Sequence, residues 1–152
     1  ERMKKFRFSL ETVLEYKQQI LDSLQAEHGA ILARIRKQEE HIEALEAEYR
    51  HLSQEFNRRK AEGISILDAL KYEQYLRAME RQIEEAHQLL QDLQKQEEAK
   101  RKEVVEAKKD TSSIEKLREK KLEVYNKAVQ KSEENLIDEF VTTKRIMEAQ
   151  SA

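Results

Sequence analysis

The chain has 152 residues, of which 39 % are charged and 38 % hydrophobic, and its formal net charge is −2. With no proline, no tryptophan and two glycines, it is expected to form long helices, because it cannot supply a layered globular core. The absence of cysteine excludes disulfides, thiolate metal sites and a cysteine nucleophile. Closely alternating charges disfavour nucleic acid as a partner, and no stretch approaches the roughly 20 apolar residues of a membrane span, so a cytoplasmic protein without direct membrane insertion is expected. Met3 is the expected natural start, after Glu1 and Arg2.

The first predicted helix carries an apolar seam in alternating steps of four and three residues, which is typical of a coiled coil. Ser9 is expected to cap its first turn, and the helix to run from about residue 9 to about residue 60. The seam is interrupted by polar residues only at Lys17, His28 and Gln38. Its positions are Leu10, Leu14, Lys17, Leu21, Leu24, His28, Ile31, Ile35, Gln38, Ile42, Leu45, Tyr49, Leu52 and Phe56.

A turn is predicted at about residues 61–65. Gly63 can adopt the left-handed conformation that ends a helix, and Ser65 with Asp68 resembles a capping box that begins the next one. The second helix is therefore expected from about residue 66 to about residue 148.

The second helix carries a matching seam, and folding the two seams together around Gly63 aligns them layer by layer. The predicted fold is all-α: a long antiparallel two-helix coiled-coil hairpin with a C-terminal helical overhang, forming a single extended domain over residues 1–152. The predicted pairs include Leu45 with Met79, Ile42 with Ile83, Gln38 with Ala86, and His28 with Glu97. The seam positions are Ala69, Tyr72, Leu76, Met79, Ile83, Ala86, Leu90, Leu93, Glu97, Lys100, Val104, Ala107, Thr111 and Ile114.

Beyond Ile114 the second helix has no predicted partner in the first, yet an apolar stripe continues. The stripe is shifted by one position, as a stutter in the heptads would shift it. A lone helix cannot bury such a stripe, so Phe6 and Phe8, a second copy of the chain or another protein must cover it. Its residues are Leu122, Tyr125, Val129, Leu136, Phe140 and Met147.

Catalysis is not indicated by the sequence. The chain has no phosphate-binding glycine-rich loop and no nucleophile elbow. His28 on the seam is expected to be a polar group paired with Glu97. Glu84 and His87 form a single Glu-x-x-His pair, which would need matching ligands from neighbouring helices to bind a metal. No enzyme activity, cofactor or metal is therefore expected.

Tyr75 lies outside the seam, beside Tyr72 and Leu76 at the start of the second helix. Two helices cannot hide all of this apolar surface. An exposed apolar patch near the turn favours a binding partner there.

Four segments of the chain carry a family pattern: Phe6-Arg7-Phe8-Ser9-Leu10, Glu48-Tyr49-Arg50, Gly63-Ile64 and Tyr72-Glu73-Gln74-Tyr75-Leu76. In these segments the chain resembles the FliJ family, the small coiled-coil proteins of the flagellar type III export apparatus. The resemblance implies a rod similar to the central stalk of rotary ATPases. Such a rod inserts into the ring of the flagellar export ATPase (FliI), promotes its hexamerisation, links it to the export gate protein FlhA and escorts export chaperones at the cytoplasmic face of the apparatus.

The resemblance also implies two binding surfaces. Gln82 and Ala86 occupy two further positions of the gate surface and depart from the family pattern. The implied ATPase-binding residues are Phe6, Phe8, Leu10, Leu14, Leu122, Tyr125 and Val129. The implied gate-binding residues are Gln38, Ile42, Leu45, Tyr49, Tyr75 and Met79.

Three other functions are compatible with the sequence. A central stalk of another secretion or rotary ATPase would have a similar rod and would differ only in its partner. A structural spacer would dimerise through the overhang. A helical metalloenzyme would require bound metal.

Overall fold

A computed structural model describes residues 4–151, so the expected start at Met3 lies outside the described residues. Helix α1 spans Glu11–Glu62 and helix α2 spans Ile66–Gln150. The two helices pack against each other, and no strand occurs among the described residues. The predicted fold class, an all-α helical hairpin, is confirmed. The single-domain organisation stays a prediction.

The start of α1 lies slightly after its predicted position. The amide of Leu14 donates the first helical hydrogen bond to Leu10 O at 2.8 Å, which places the cap at Leu10 and not at Ser9. Before it, Glu11 N donates to Phe8 O at 3.1 Å and closes a turn. Residues 4–8 precede this turn without regular secondary structure, and we call them the N-terminal strap.

The turn between the helices has the predicted chemistry. Gly63 has a φ of 99°, a conformation that side chains with a Cβ rarely adopt. Ser65 Oγ accepts a hydrogen bond from Asp68 N at 3.1 Å, and Ser65 O accepts one from Ala69 N at 3.0 Å. Ser65 is therefore the N-cap of α2, as its spacing to Asp68 predicts.

The chain divides into two compact units. Residues 22–105 form the central unit, and the chain before residue 22 and after residue 105 forms the terminal unit. In the central unit the helices are antiparallel, because the partners of His28, Gln38 and Tyr49 in α2 fall at successively lower residue numbers. The described seam positions are all buried or half-buried, and two contacts in the central unit, His28 with Glu97 and Gln38 with Ala86, join residues that the sequence pairs. The most buried apolar side chains of this unit are Ile35, Ile42, Phe56, Met79, Ala86 and Leu93.

The polar seam positions of the central unit have hydrogen-bond partners. His28 Nε2 lies 3.0 Å from Glu97 Oε1, as predicted. Gln38 Nε2 donates to the backbone oxygen of Ala86 at 2.9 Å. Lys100 directs its ammonium out of the seam, and hydrogen bonds to Glu27 and then to Glu103 raise the pKa of this lysine. Polar side chains are thus accommodated in the seam without an unsatisfied buried group among the described residues.

The terminal unit joins the beginning of α1 to the second half of α2. Arg118 Nε donates to Glu11 Oε2 at 2.9 Å, and Lys17 Nζ lies 3.8 Å from Asp110 Oδ2. Thr111 is buried and donates its hydroxyl to Ala107 O at 2.8 Å, a bond that satisfies the hydroxyl within its own helix. The polar stretch around Thr111 therefore does not end α2.

Gly29 lies in the interior of α1, where a Cβ atom would meet no atom within 4 Å. Replacing Gly29 with alanine is expected to raise the free energy of unfolding by about 0.8 to 1 kcal/mol, because alanine has the higher helix propensity. Gly63→Ala is the matched control and should lower it by about 1 to 2 kcal/mol, because its left-handed backbone disfavours a Cβ. Urea denaturation followed by circular dichroism measures both. Equal changes in the free energy of unfolding would contradict the placement of Gly29 in an open helix interior and of Gly63 in a left-handed turn.

Candidate functional surfaces

The N-terminal strap covers part of the apolar stripe of α2 within the terminal unit. The ring of Phe6 lies 5.6 Å from the ring of Tyr125, and the guanidinium carbon of Arg118 lies 5.7 Å from the centre of the Phe6 ring. Tyr125 Oη donates to Lys4 O at 2.6 Å. Phe8 is only 7 % exposed. The N-terminal aromatic residues, one of the three possibilities for covering the stripe, therefore cover it at Tyr125.

The implied ATPase-binding residues all belong to the terminal unit. Phe8 is buried, and the other six are half-buried. Only part of each half-buried side chain is therefore accessible to a partner. The half-buried residues are Phe6, Leu10, Leu14, Leu122, Tyr125 and Val129.

A basic groove lies along the strap. Its volume is about 920 Å³, and its walls carry cations and aromatic rings but no carboxylate. Such a lining favours an acidic partner surface. The lining residues are Lys4, Lys5, Phe6, Arg7 and Tyr125.

The last part of α2, residues 133–150, is exposed throughout, and we call it the exposed C-terminal segment. Phe140 is 71 % exposed and Met147 is 64 % exposed. The sequence predicts the stripe formed by Leu136, Phe140 and Met147. It missed Ile137 and Val141, which widen the apolar face and share the four-residue spacing of Leu136 and Phe140.

The implied gate-binding residues lie in the central unit, and most of them face the seam. Ile42 is buried, and Met79, at 3 % exposed, is the most buried large apolar side chain described. Gln38 is held by its bond to Ala86 O. Tyr75 alone of the set is exposed, with 52 % of its surface accessible. Leu45 and Tyr49 are half-buried.

An open groove of about 460 Å³ lies beside Tyr75 in the central unit. Tyr75 Oη donates to Glu48 Oε1 at 3.4 Å along one wall. The groove combines aromatic, acidic and basic groups, a composition suited to a mixed polar and apolar partner. Its lining residues are Glu48, His51, Leu52, Arg59, Asp68, Lys71, Tyr72 and Tyr75.

An aromatic stack that the seam pattern does not predict lies next to this groove. The rings of Phe56 and Tyr72 are 5.0 Å apart and nearly parallel. Lys60 Nζ lies 4.1 Å from the centre of the Phe56 ring, and Arg59 Nη1 donates to Tyr72 Oη at 3.0 Å, a bond that raises the pKa of Arg59. The signal available in the sequence is the placement of Arg59 and Lys60 three and four residues after Phe56.

The first turn of α2 exposes three further apolar side chains, Ile66, Leu67 and Leu70. These three residues are apolar but do not occupy seam positions, and this is the only sign in the sequence that they are exposed. Together with Tyr75 they extend the apolar surface beyond the one residue that the sequence singles out.

Tyr49 donates its hydroxyl to Glu80 Oε1 at 2.7 Å, and this hydrogen bond raises the pKa of Tyr49 above its ordinary value of 10.0. Replacing Glu80 with alanine is expected to lower the pKa of Tyr49 towards that value, as ¹³C NMR of the labelled tyrosine ring would measure. Because the folded state holds this proton more tightly, the pair's contribution to stability is complete below about pH 10 and is lost as the pH rises through the raised pKa. Glu48→Ala is the control and should leave the pKa of Tyr49 unchanged. An unchanged pKa of Tyr49 in the Glu80→Ala variant would contradict the prediction.

The structure assembles no metal site in residues 4–151. His87, of the Glu-x-x-His pair, lies 3.1 Å from Glu46 Oε1 through its Nε2. Across the same residues, no helix has the length and apolar character needed to cross a membrane.

Two long helices packed along a buried apolar seam define a class of protein, the antiparallel helical coiled coil. The model of one family, described as Flagellar FliJ protein, matches residues 6–149, and the chain belongs to the FliJ family. It is therefore a flagellar export-associated protein of a structural and regulatory family that is not known for enzyme activity. No curated protein and no solved structure matches the chain.

Proposed function

We propose that this chain is the stalk of the flagellar export ATPase (FliI), that it inserts into the ATPase ring and that it promotes assembly of the hexamer. The observation that carries the proposal is the family match over residues 6–149. In this role the protein works at the cytoplasmic face of the export apparatus and has no chemistry of its own.

The terminal unit is the proposed ATPase-docking region. In support, the strap is fixed to α2 by the Phe6 and Tyr125 rings and by the hydrogen bond from Tyr125 to Lys4 O, so the docking edges are held in place before binding. Preorganised contact residues lose less conformational entropy on association. The basic groove along the strap suits an acidic surface on the docking partner.

The proposed contact with the gate protein FlhA is made by the central unit. Tyr75 is the direct contact residue in this proposal, flanked by the accessible edges of Leu45 and Tyr49. Ile42 and Met79 act from the seam by holding the two helices in register, since both are buried. Escort of export chaperones belongs to the same proposal and rests on the family alone.

The experiment that tests the proposal is a measurement of ATP hydrolysis by purified flagellar export ATPase, titrated with this chain. We expect a saturable rise in the hydrolysis rate and in the hexamer fraction. No rise with the flagellar ATPase would overturn the proposal. A rise with a different secretion ATPase would then assign the stalk to that machine, and a dimer without any stimulation would assign it to the structural spacers.

A further inference from the structure

Charge is distributed unevenly along the terminal unit. Residues 4–21 and 106–132 carry twelve lysines and arginines against seven carboxylates, a net charge of +5. Residues 133–151 carry two cations against five carboxylates, a net charge of −3. The net positive charge of this unit is therefore confined to the stretches that hold the strap and Tyr125, where the basic groove lies.

The cations of the strap are not neutralised by any described carboxylate. Lys4, Lys5 and Arg7 are exposed, and none of them forms an ion pair with a carboxylate of residues 4–151. By contrast, the nearby Arg118 is paired with Glu11 at 2.9 Å. Three uncompensated positive charges therefore lie within a run of four residues along one groove.

We propose that the basic groove binds a short acidic polypeptide segment of the docking partner, whose carboxylates contact Lys4, Lys5 and Arg7. The segment belongs to the export ATPase, an assignment that rests on the proposed function. Arg7 can hold a carboxylate through two parallel hydrogen bonds, whereas the two lysines act as point charges. The rings of Phe6 and Tyr125 line the same groove and contact the apolar part of the segment.

The shape of the groove favours a polypeptide over a membrane surface. The groove is concave, with a volume of about 920 Å³. A flat lipid surface cannot reach a concave lining, whereas a single chain segment can enter it. A charged cleft also focuses the electric field, so that an acidic segment is attracted before contact is made.

The rings of the groove disfavour a nucleic acid. Single-stranded nucleic acids bind by stacking their bases on free aromatic faces. The Phe6 ring lies 5.6 Å from the Tyr125 ring and 5.7 Å from the guanidinium carbon of Arg118, so it is already engaged by protein groups. The net negative charge of residues 133–151 would also repel a long polyanion that follows α2. A short acidic segment meets neither obstacle.

Fluorescence anisotropy of a rhodamine-labelled hexaglutamate peptide, titrated with the full chain, tests the groove. We expect binding at about 20 mM salt that weakens at about 150 mM, because salt screens exposed charges. The triple variant Lys4→Gln, Lys5→Gln and Arg7→Gln should bind the peptide about tenfold more weakly. Absence of binding by the unaltered chain at the lower salt concentration would overturn the proposal.

A matched control removes the same amount of charge outside the groove. It replaces three exposed lysines of the terminal unit, Lys108→Gln, Lys109→Gln and Lys116→Gln, and should weaken peptide binding by less than about twofold. Equal weakening by both triple variants would indicate attraction by net charge alone and would overturn the groove as the site. Tighter binding of labelled hexathymidylate, or of phosphatidylglycerol vesicles, than of hexaglutamate would overturn the polypeptide occupant.

The export ATPase separates this proposal from the proposed function. If the unaltered chain stimulates ATP hydrolysis, the strap variant should need a several-fold higher concentration for half-maximal stimulation, and the control variant should not. An unchanged half-maximal concentration for the strap variant would overturn the acidic segment and leave the stalk function standing. No stimulation by the unaltered chain would overturn the stalk function, while the hexaglutamate titration still decides whether the groove binds acidic segments.

Discussion

Replacing Met79 with alanine is expected to lower the free energy of unfolding by about 2 to 5 kcal/mol. Met79 is 3 % exposed in the seam of the central unit, where the removed atoms leave a cavity between two helices. A two-helix interface has no third layer from which to refill that space, so the larger part of this range is expected. Urea denaturation followed by circular dichroism gives the change directly.

Tyr75→Ala is the matched variant for this position. Tyr75 belongs to the same proposed gate-binding set but is 52 % exposed, so its replacement should change the free energy of unfolding by no more than about 0.5 kcal/mol. Affinity for FlhA should nevertheless fall with Tyr75→Ala. An unchanged denaturation midpoint for Met79→Ala would contradict the burial of Met79 between the two helices. Unchanged gate affinity for Tyr75→Ala would remove this residue from the gate contact.

Ending the chain after Ile114 is expected to abolish stimulation of the export ATPase. The shortened chain loses Leu122, Tyr125 and Val129 of the proposed docking set, and it also loses the surface on which Phe6 packs. The rate of ATP hydrolysis should therefore stay at the value of the ATPase alone. The central unit, residues 22–105, lies before the cut and should keep its helical circular dichroism signal.

A chain ending after Ser132 is the control for this truncation. It retains the strap, Tyr125 and Val129 but lacks the exposed C-terminal segment, so stimulation should persist. Stimulation by the chain ending at Ile114 would exclude the residues beyond it from docking. Loss of stimulation in the chain ending at Ser132 would move the docking surface into the exposed C-terminal segment.

The seam is predictable from the sequence because a two-helix interface admits only residues at coiled-coil spacing. The same requirement places His28 opposite Glu97, and the structure has that pair. The turn at Gly63 and Ser65 is predictable because each residue has a specific backbone role there. The cap of α1 is less so, since the hydroxyl of Ser9 is one of several groups that can serve the first turn, and the helix begins after Leu10.

The surfaces are less accessible to sequence reasoning than the fold. Periodicity shows that the stripe beyond Ile114 must be covered but does not identify Phe6 as the group at Tyr125. The stack of Phe56 on Tyr72 and the bond from Tyr49 to Glu80 depend on side-chain rotamers, which the residue pattern does not determine. For Ile42 and Met79 the seam pattern and the family resemblance point in different directions, and the structure places both side chains inside the seam.

The hydrogen bond from Tyr125 to Lys4 O joins residues 121 positions apart in the sequence, and it affects how the protein should be labelled. A fluorophore attached to the side chain of Lys4 or Lys5 in the strap would compete with the proposed docking partner for the same space. The turn at Gly63 belongs to the other compact unit, which contains none of the proposed ATPase-docking residues, and a Cβ at Gly63 would meet no atom within 4 Å. It is therefore the better insertion point for a reporter that must leave ATPase docking undisturbed.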